Sequence, residues 1–127
     1  MGEFRFDPAP GVILCKAELV HGPRSLFVKL AVDTGASFTM ISIESALAIG
    51  LNPSRATRHI EITTAGGVVF TPIIRIPCFR CFGIEIEKMD AICHNLPPES
   101  CVEGLLGLNF LQAAGVTIDF SGNVIRS

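Results

Sequence analysis

Residues 30–37 have the sequence LAVDTGAS, in which an apolar run ends in an acid, a hydroxyl and a glycine. The run is typical of a buried strand, and an ionised carboxylate at its end is costly unless hydrogen-bond partners satisfy it. Gly35 allows a backbone N–H to approach the Asp33 carboxylate, and the Thr34 hydroxyl can fix the turn. The tripeptide alone favours an ordinary Asx-turn, with an acid held at a cleft floor as the alternative.

The length and composition favour one small domain. The 127 residues are 49% hydrophobic, and charged side chains interrupt every apolar stretch before it reaches membrane-spanning length. Ten basic and twelve acidic residues give a net charge of -2, and the chain has no Trp or Tyr to stack on bases. We therefore expect no nucleic-acid partner and no membrane segment, and the apolar excess suggests burial against another subunit.

The N-terminus and the cysteines indicate a cytoplasmic chain. The opening MGEFRFDPAP lacks the continuous hydrophobic segment of a secretory signal, so residues 1–11 are predicted to be a flexible lead-in to one domain at 12–127. The chain has five cysteines, an odd number, and it is long enough to form a core without disulfides. The cysteines are therefore most simply reduced thiols. The sequence is also compatible with a domain of a longer protein.

Short β-branched and aromatic runs separated by Gly, Pro and Asn predict an all-β domain. Two segments depart from that pattern, SIESALAIG with Ser42 as N-cap and LNFLQAAG ending at Gly115, and each predicts a short helix. The stretch TTAGGVVF predicts a hairpin with Gly66 and Gly67 at its turn. That hairpin is either an ordinary surface turn or a flap over a cleft. The predicted strands are GVILCKAELV, SLFVKLAVD, RHIEITT, GVVFTPIIRIPCF, GIEIEKMDAIC, GVTIDF and NVIRS.

A second motif, EGLLGLNFL at residues 103–111, changes the interpretation of DTGAS. Two apolar residues, a glycine and a helix let a strand pass close beside another backbone before turning away. The ordered pair of motifs, with a small helix and a glycine-tipped hairpin between them, resembles the retropepsin-like aspartic proteases over residues 12–125. The resemblance implies a closed all-β barrel with two short helices and a flap hairpin, assembled as a homodimer.

The resemblance also implies a mechanism and a site. Two Asp33 carboxylates, one from each subunit, would activate a water and hydrolyse a peptide bond without cofactor or metal. Thr34 would bond across the dimer axis and Gly35 would contact the backbone of a peptide or protein substrate. Thr64, Ala65, Gly66 and Gly67 would form the flap tip.

Three residues qualify the resemblance. Many viral members carry an Asp where this chain has Ser37 and an Arg where it has Leu108, so the viral ion pair is absent. Asp119 is the best acid for a single-chain dyad, but it lacks the Thr-Gly turn and is better explained as a hairpin acid. The C-terminal NVIRS is the expected interface strand.

Two other hypotheses remain. A retropepsin-fold dimer can serve as a catalytically silent binding module, although the intact DTG favours an enzyme. The CFRC stretch, with Cys78 and Cys81, could hold half a zinc site or a redox pair. On a strand these two residues face opposite ways, which favours free thiols.

Overall fold

Within residues 2–127, which the computed structural model describes, ten strands and two short α-helices form the fold. The strands are β1 Glu3–Arg5, β2 Ile13–His21, β3 Arg24–Val32, β4 Thr39–Ile41, β5 Arg58–Thr64, β6 Gly67–Cys81, β7 Ile84–Cys93, β8 Gly104–Leu106, β9 Thr117–Asp119 and β10 Val124–Arg126. The helices are α1 Ile43–Ala48 and α2 Leu108–Ala114, and Pro53–Arg55 form a single 3₁₀ turn.

Six strands close into a barrel. Their order is β2-β3-β8-β4-β7-β6, and β2 pairs with β6 to complete the ring. The pairs β3–β8 and β4–β7 are parallel, whereas the other neighbours are antiparallel. The strand β5 extends the sheet from the outer edge of β6. The prediction of a mostly β, closed barrel with two short helices is confirmed.

The barrel interior is filled by side chains that alternate along the strands. On β3, Val28 and Leu30 are buried, while Phe27 and Lys29, which alternate with them, are exposed, as the two-residue period requires. Phe79 of β6 and Phe110 of α2 are both 0% exposed, and their ring centroids lie 5.2 Å apart. Each such buried ring contributes about 2–3 kcal/mol of hydrophobic stabilisation. This packing holds α2 against the barrel.

Both helices end where local sequence rules place their ends. The Ser42 hydroxyl accepts a hydrogen bond from the Ser45 N–H at 3.0 Å and caps α1. Gly115 adopts φ 66°, ψ 35° after α2, the left-handed geometry that suits glycine. The two predicted helices are therefore confirmed.

The termini depart from expectation. Residues 1–11 were expected to be a flexible lead-in, but Glu3–Arg5 form β1, which pairs antiparallel with β10. The expected interface strand NVIRS contains β10, which lies between β1 and β9, so both of its edges are occupied within the chain. Arg126 reinforces this sheet by donating to Glu3 at 3.1 Å and to Asp119 at 3.0 Å.

The β5–β6 hairpin turns one residue earlier than the sequence indicated. Ala65 and Gly66 form the turn, and Gly67 already pairs with Thr64. Gly67 has φ +117°, a value that disfavours a side chain, so the second glycine is explained by backbone conformation at the first residue of β6.

No helix in residues 2–127 combines the length and the apolar character that crossing a membrane requires.

Candidate active site

Asp33 lies immediately after β3, where the barrel brings two parallel strands together. The register of β3 and β8 pairs Val32 with Leu106, and the Asp33 N–H donates to the Leu106 carbonyl at 2.9 Å. The backbone of Asp33 is therefore fixed by a neighbouring strand that is distant in sequence. This explains how a short turn can hold an acid in one place.

The Asp33 carboxylate is half-buried and held by the turn that follows it. Its Oδ1 accepts the Gly35 N–H at 2.8 Å, and the Ala36 N–H donates to the Asp33 carbonyl at 3.2 Å. The other carboxylate oxygen makes no hydrogen bond within residues 2–127. A Cβ on Gly35 would lie 3.2 Å from Oδ1, which is a tight contact. One oxygen is thus anchored and the other is free to act on a ligand.

The two glycines of GLLG are required by close backbone approach. A Cβ on Gly104 would overlap the Met40 carbonyl oxygen, and one on Gly107 would lie 2.5 Å from the Phe38 carbonyl carbon. Strand β8 therefore passes closer to the segment at 38–40 than any side chain permits. The expectation that this motif brings a strand close beside another backbone is confirmed.

Asn109, the second residue of the predicted helix LNFLQAAG, connects three parts of this region. Its Oδ1 accepts hydrogen bonds from the Thr39 N–H at 2.8 Å, the Thr39 hydroxyl at 2.9 Å and the Phe110 N–H at 3.0 Å. Its Nδ2 donates to the Asp90 carbonyl at 2.6 Å. The Thr39 hydroxyl also accepts the Gly107 N–H at 3.1 Å. An asparagine in a helical first turn is the available sequence signal, because its amide competes for backbone partners.

The loop after Gly35 is fixed to α2 by main-chain bonds. The Leu108 N–H donates to the Ala36 carbonyl at 2.8 Å, and the Asn109 N–H donates to the Ser37 carbonyl at 3.2 Å. Ser37 and Leu108 occupy the two positions that carry an ion pair in many viral members of the family that the sequence resembles. Here the same two segments are connected through backbone groups and the Asn109 amide.

The remaining predicted site residues fall into two groups. Thr34 is exposed and makes no side-chain hydrogen bond within the described part of the chain. At the hairpin tip, the Thr64 hydroxyl donates to the Gly67 carbonyl at 3.0 Å and accepts the Gly66 N–H at 3.2 Å. No hydrogen bond between described residues joins this tip to the Asp33 turn.

Asp119 is the last residue of β9, where the chain turns toward β10. Its Oδ1 accepts the Ser121 hydroxyl at 2.6 Å and the Gly122 N–H at 3.1 Å, and Arg126 donates to its Oδ2. These bonds hold the pKa of Asp119 well below its usual range, with the Ser121 hydroxyl the largest cause. The carboxylate is thus committed to local partners, as a hairpin acid should be.

The two cysteines of CFRC point apart, as their strand spacing predicts. Cys81 is 4% exposed in the core, whereas Cys78 is half-buried on the other face of β6. Burial first, and the Glu85 carboxylate second, raise the pKa of Cys78. Within residues 2–127 no three His, Cys, Asp or Glu side chains are grouped closely enough to hold a metal ion.

Comparison with known proteins identifies the class. Residues 25–113, which include both the Asp33 turn and the GLLG motif, match the family model described as gag-polyprotein putative aspartyl protease. The chain belongs to this family, and the predicted retropepsin-like membership is confirmed.

The fold has a solved counterpart. A crystal structure of a retropepsin-like aspartic protease from Rickettsia conorii superposes with a TM-score of 0.72, covering 98% of this chain and 88% of that one at 22% identity. No curated protein matches the chain.

Proposed function

We propose that this protein is an aspartic endopeptidase that acts as a homodimer, with Asp33 of each copy forming the catalytic dyad. The observation that supports it best is the half-buried Asp33 carboxylate, anchored through Oδ1 by the Gly35 N–H at 2.8 Å. An Asx-turn alone would also give one carboxylate oxygen a hydrogen bond. Here the hydrogen bond from the Asp33 N–H to the Leu106 carbonyl fixes the backbone of this acid as well. Family membership supplies the reaction class.

The second carboxylate is proposed to come from a second copy of the chain. Asp119, the internal alternative, is bonded to Ser121, Gly122 and Arg126, so its oxygens are already occupied. The Asp33 turn is partly exposed: Thr34 and Gly35 both face solvent. A two-fold axis beside this turn brings Asp33 opposite itself and gives Thr34 a partner.

The dyad chemistry follows from two close carboxyl groups that share one proton. The ionised carboxylate removes a proton from a bound water as its oxygen attacks the carbonyl carbon of the scissile peptide bond. The protonated carboxyl stabilises the oxygen that gains charge, and a proton then passes to the leaving amine. The pair titrates as a unit, so its apparent pKa values belong to the dyad.

The proposed substrate is an extended peptide held between the Asp33 turn and the β5–β6 hairpin. The outer edge of β5 has no strand partner in the described chain, so its N–H and C=O groups can pair with a peptide backbone. The tip at Thr64, Ala65, Gly66 and Gly67 would act as the flap. Its closure would exclude water from the dyad.

The test compares the wild type with Asp33→Asn and the matched control Asp119→Asn in cleavage of a diverse peptide library between about pH 4 and 7, where a shared-proton dyad works. The Asp33 substitution should abolish cleavage, while the control should retain it. Cleavage that survives Asp33→Asn would refute the dyad. A folded wild-type dimer without cleavage would favour a binding module.

A mixing experiment tests the dimer separately. When wild type and Asp33→Asn are mixed in equal amounts and their subunits exchange, each mixed dimer has only one Asp33 carboxylate and is inactive. Activity per wild-type chain should therefore fall to about half of its unmixed value. Adding the same amount of a non-exchanging protein controls for crowding. Unchanged activity, despite exchange shown by differently tagged chains, would exclude a shared site.

A further inference from the structure

Two thiols meet inside the barrel at the seam where β2 and β6 close the ring. The register pairs Leu19 with Phe79 and Glu18 with Arg80. Continued by one residue, this register puts Cys81 level with Ala17, and Cys15 comes two residues before Ala17 on the same inward face of β2. The Cys81 Sγ donates to the Lys16 carbonyl at 3.6 Å, which places this thiol against the backbone of β2 one residue from Cys15, and Cys15 packs against the same core cluster.

One member of the pair is accessible from outside. Cys15 is half-buried, whereas Cys81 is only 4% exposed. The partial exposure of Cys15 makes it the first thiol that a small molecule reaches and leaves Cys81 as the second, internal thiol.

We propose that Cys15 and Cys81 are a modification site, an internal dithiol that a low-molecular-weight disulfide such as glutathione disulfide converts to an intramolecular disulfide. The inference is independent of the proteolytic function. The bond would join β2 to β6 across the barrel seam. It needs the two sulfurs to approach to about 2.05 Å and the two Cα atoms to lie within about 7 Å of each other. Cys81 ends β6 next to the turn at Phe82 and Gly83, where the backbone can adjust.

The reaction is two successive exchanges. The Cys15 sulfur attacks one sulfur of glutathione disulfide, forms a mixed disulfide and releases one glutathione, which takes up the Cys15 proton. The Cys81 sulfur then attacks the Cys15 sulfur and releases a second glutathione with the Cys81 proton. The protein loses two electrons and glutathione disulfide gains them.

The environment sets the rate. The neighbouring Cys81 thiol, together with burial, raises the pKa of the Cys15 thiol, so little thiolate is present at neutral pH. Exchange is therefore expected over hours rather than seconds. The crosslink closes the loop of residues 15–81, and constraining the unfolded chain over that length should raise Tm by about 10 °C.

The test incubates the full chain with glutathione disulfide and maps disulfides by mass spectrometry of proteolytic peptides without reduction. A Cys15–Cys81 peptide is expected, with a rise in Tm that dithiothreitol reverses. Cys93→Ala is the matched control: Cys93 is also a core thiol, its pKa raised to about 12 by burial alone, and this variant should behave as wild type. Cys15→Ala and Cys81→Ala should form no internal disulfide.

Three results would overturn the proposal: a stable mixed disulfide at Cys15, a crosslink that uses Cys78, Cys93 or Cys101 instead, or no modification after a day. If Cys81→Ala fails to fold, the wild-type peptide map and Cys15→Ala still decide the question. Because every measurement is of disulfides or Tm, failure here leaves the protease proposal untouched, and failure of cleavage leaves this one untouched.

Discussion

Replacing Asn109 with alanine tests whether one amide holds the region behind the candidate site together. The substitution removes three bonds from Oδ1 and one from Nδ2. Thr39 is 0% exposed, so its N–H and hydroxyl have little access to water once the amide is gone. The Asp90 carbonyl loses its donor as well.

The magnitude follows from those orphaned groups. A lost hydrogen bond to a buried neutral partner costs about 1–1.5 kcal/mol, and three of the four partners are poorly placed to recruit water. The free energy of unfolding should fall by about 3 kcal/mol, which lowers the urea midpoint by about 1.5 M. The control is Asn95→Ala: Asn95 is exposed and accepts only the Ile43 N–H, at 3.0 Å, so its loss should cost less than about 1 kcal/mol.

A second variant separates the donor from the acceptor. Asn109→Asp keeps the oxygen that accepts three bonds, but it places a carboxylate oxygen against the Asp90 carbonyl, where Nδ2 now donates at 2.6 Å. Two acceptor oxygens then face each other, so Asn109→Asp should be less stable than wild type at pH 7, where the new carboxyl group is ionised. The reasoning is refuted if Asn109→Ala costs no more than Asn95→Ala, or if Asn109→Asp is as stable as wild type at pH 7.

Two further predictions concern stability. Gly107→Ala places a Cβ 2.5 Å from the Phe38 carbonyl carbon and should cost at least about 3 kcal/mol in urea unfolding, against about 1 kcal/mol for Gly22→Ala, which has φ +59° but open space around it. Equal costs would show that close approach is unimportant. Arg58 donates to Asp90 and is the largest cause of that carboxyl's lowered pKa. The stability that this pair contributes is present above about pH 4 and is lost as pH falls. Asp90→Asn should therefore flatten the decline of Tm between about pH 5 and 2. A decline of Tm as steep as in the wild type would contradict this.

Local rules predicted much of the fold because they act over a few residues. The Ser42 cap, the Gly115 stop and the alternation along β3 each follow from neighbours in sequence, and the structure has all three. The three-residue strands β1 and β4 were not predicted, since neither is long enough to show a period. Their pairing partners, β10 and β7, lie far along the chain and supply the missing information.

The candidate site divides in the same way. The sequence identified Asp33 and its turn glycine, and it indicated through GLLG that a second strand passes close by. It assigned no role to Asn109, whose partners Thr39 and Asp90 are distant in sequence. Nor does the sequence indicate that Cys15 lies near Cys81, because the two cysteines are far apart along the chain.

The sequence by itself determined the family and the class of fold, because two short motifs and a strand period carry that information locally. Only the tertiary structure decided which groups meet: the Leu106 carbonyl behind Asp33, the Asn109 amide beneath the loop and the two thiols at the barrel seam. Those contacts depend on strand order and register. Order and register are set by the packing of the whole barrel, and no short stretch of residues encodes them.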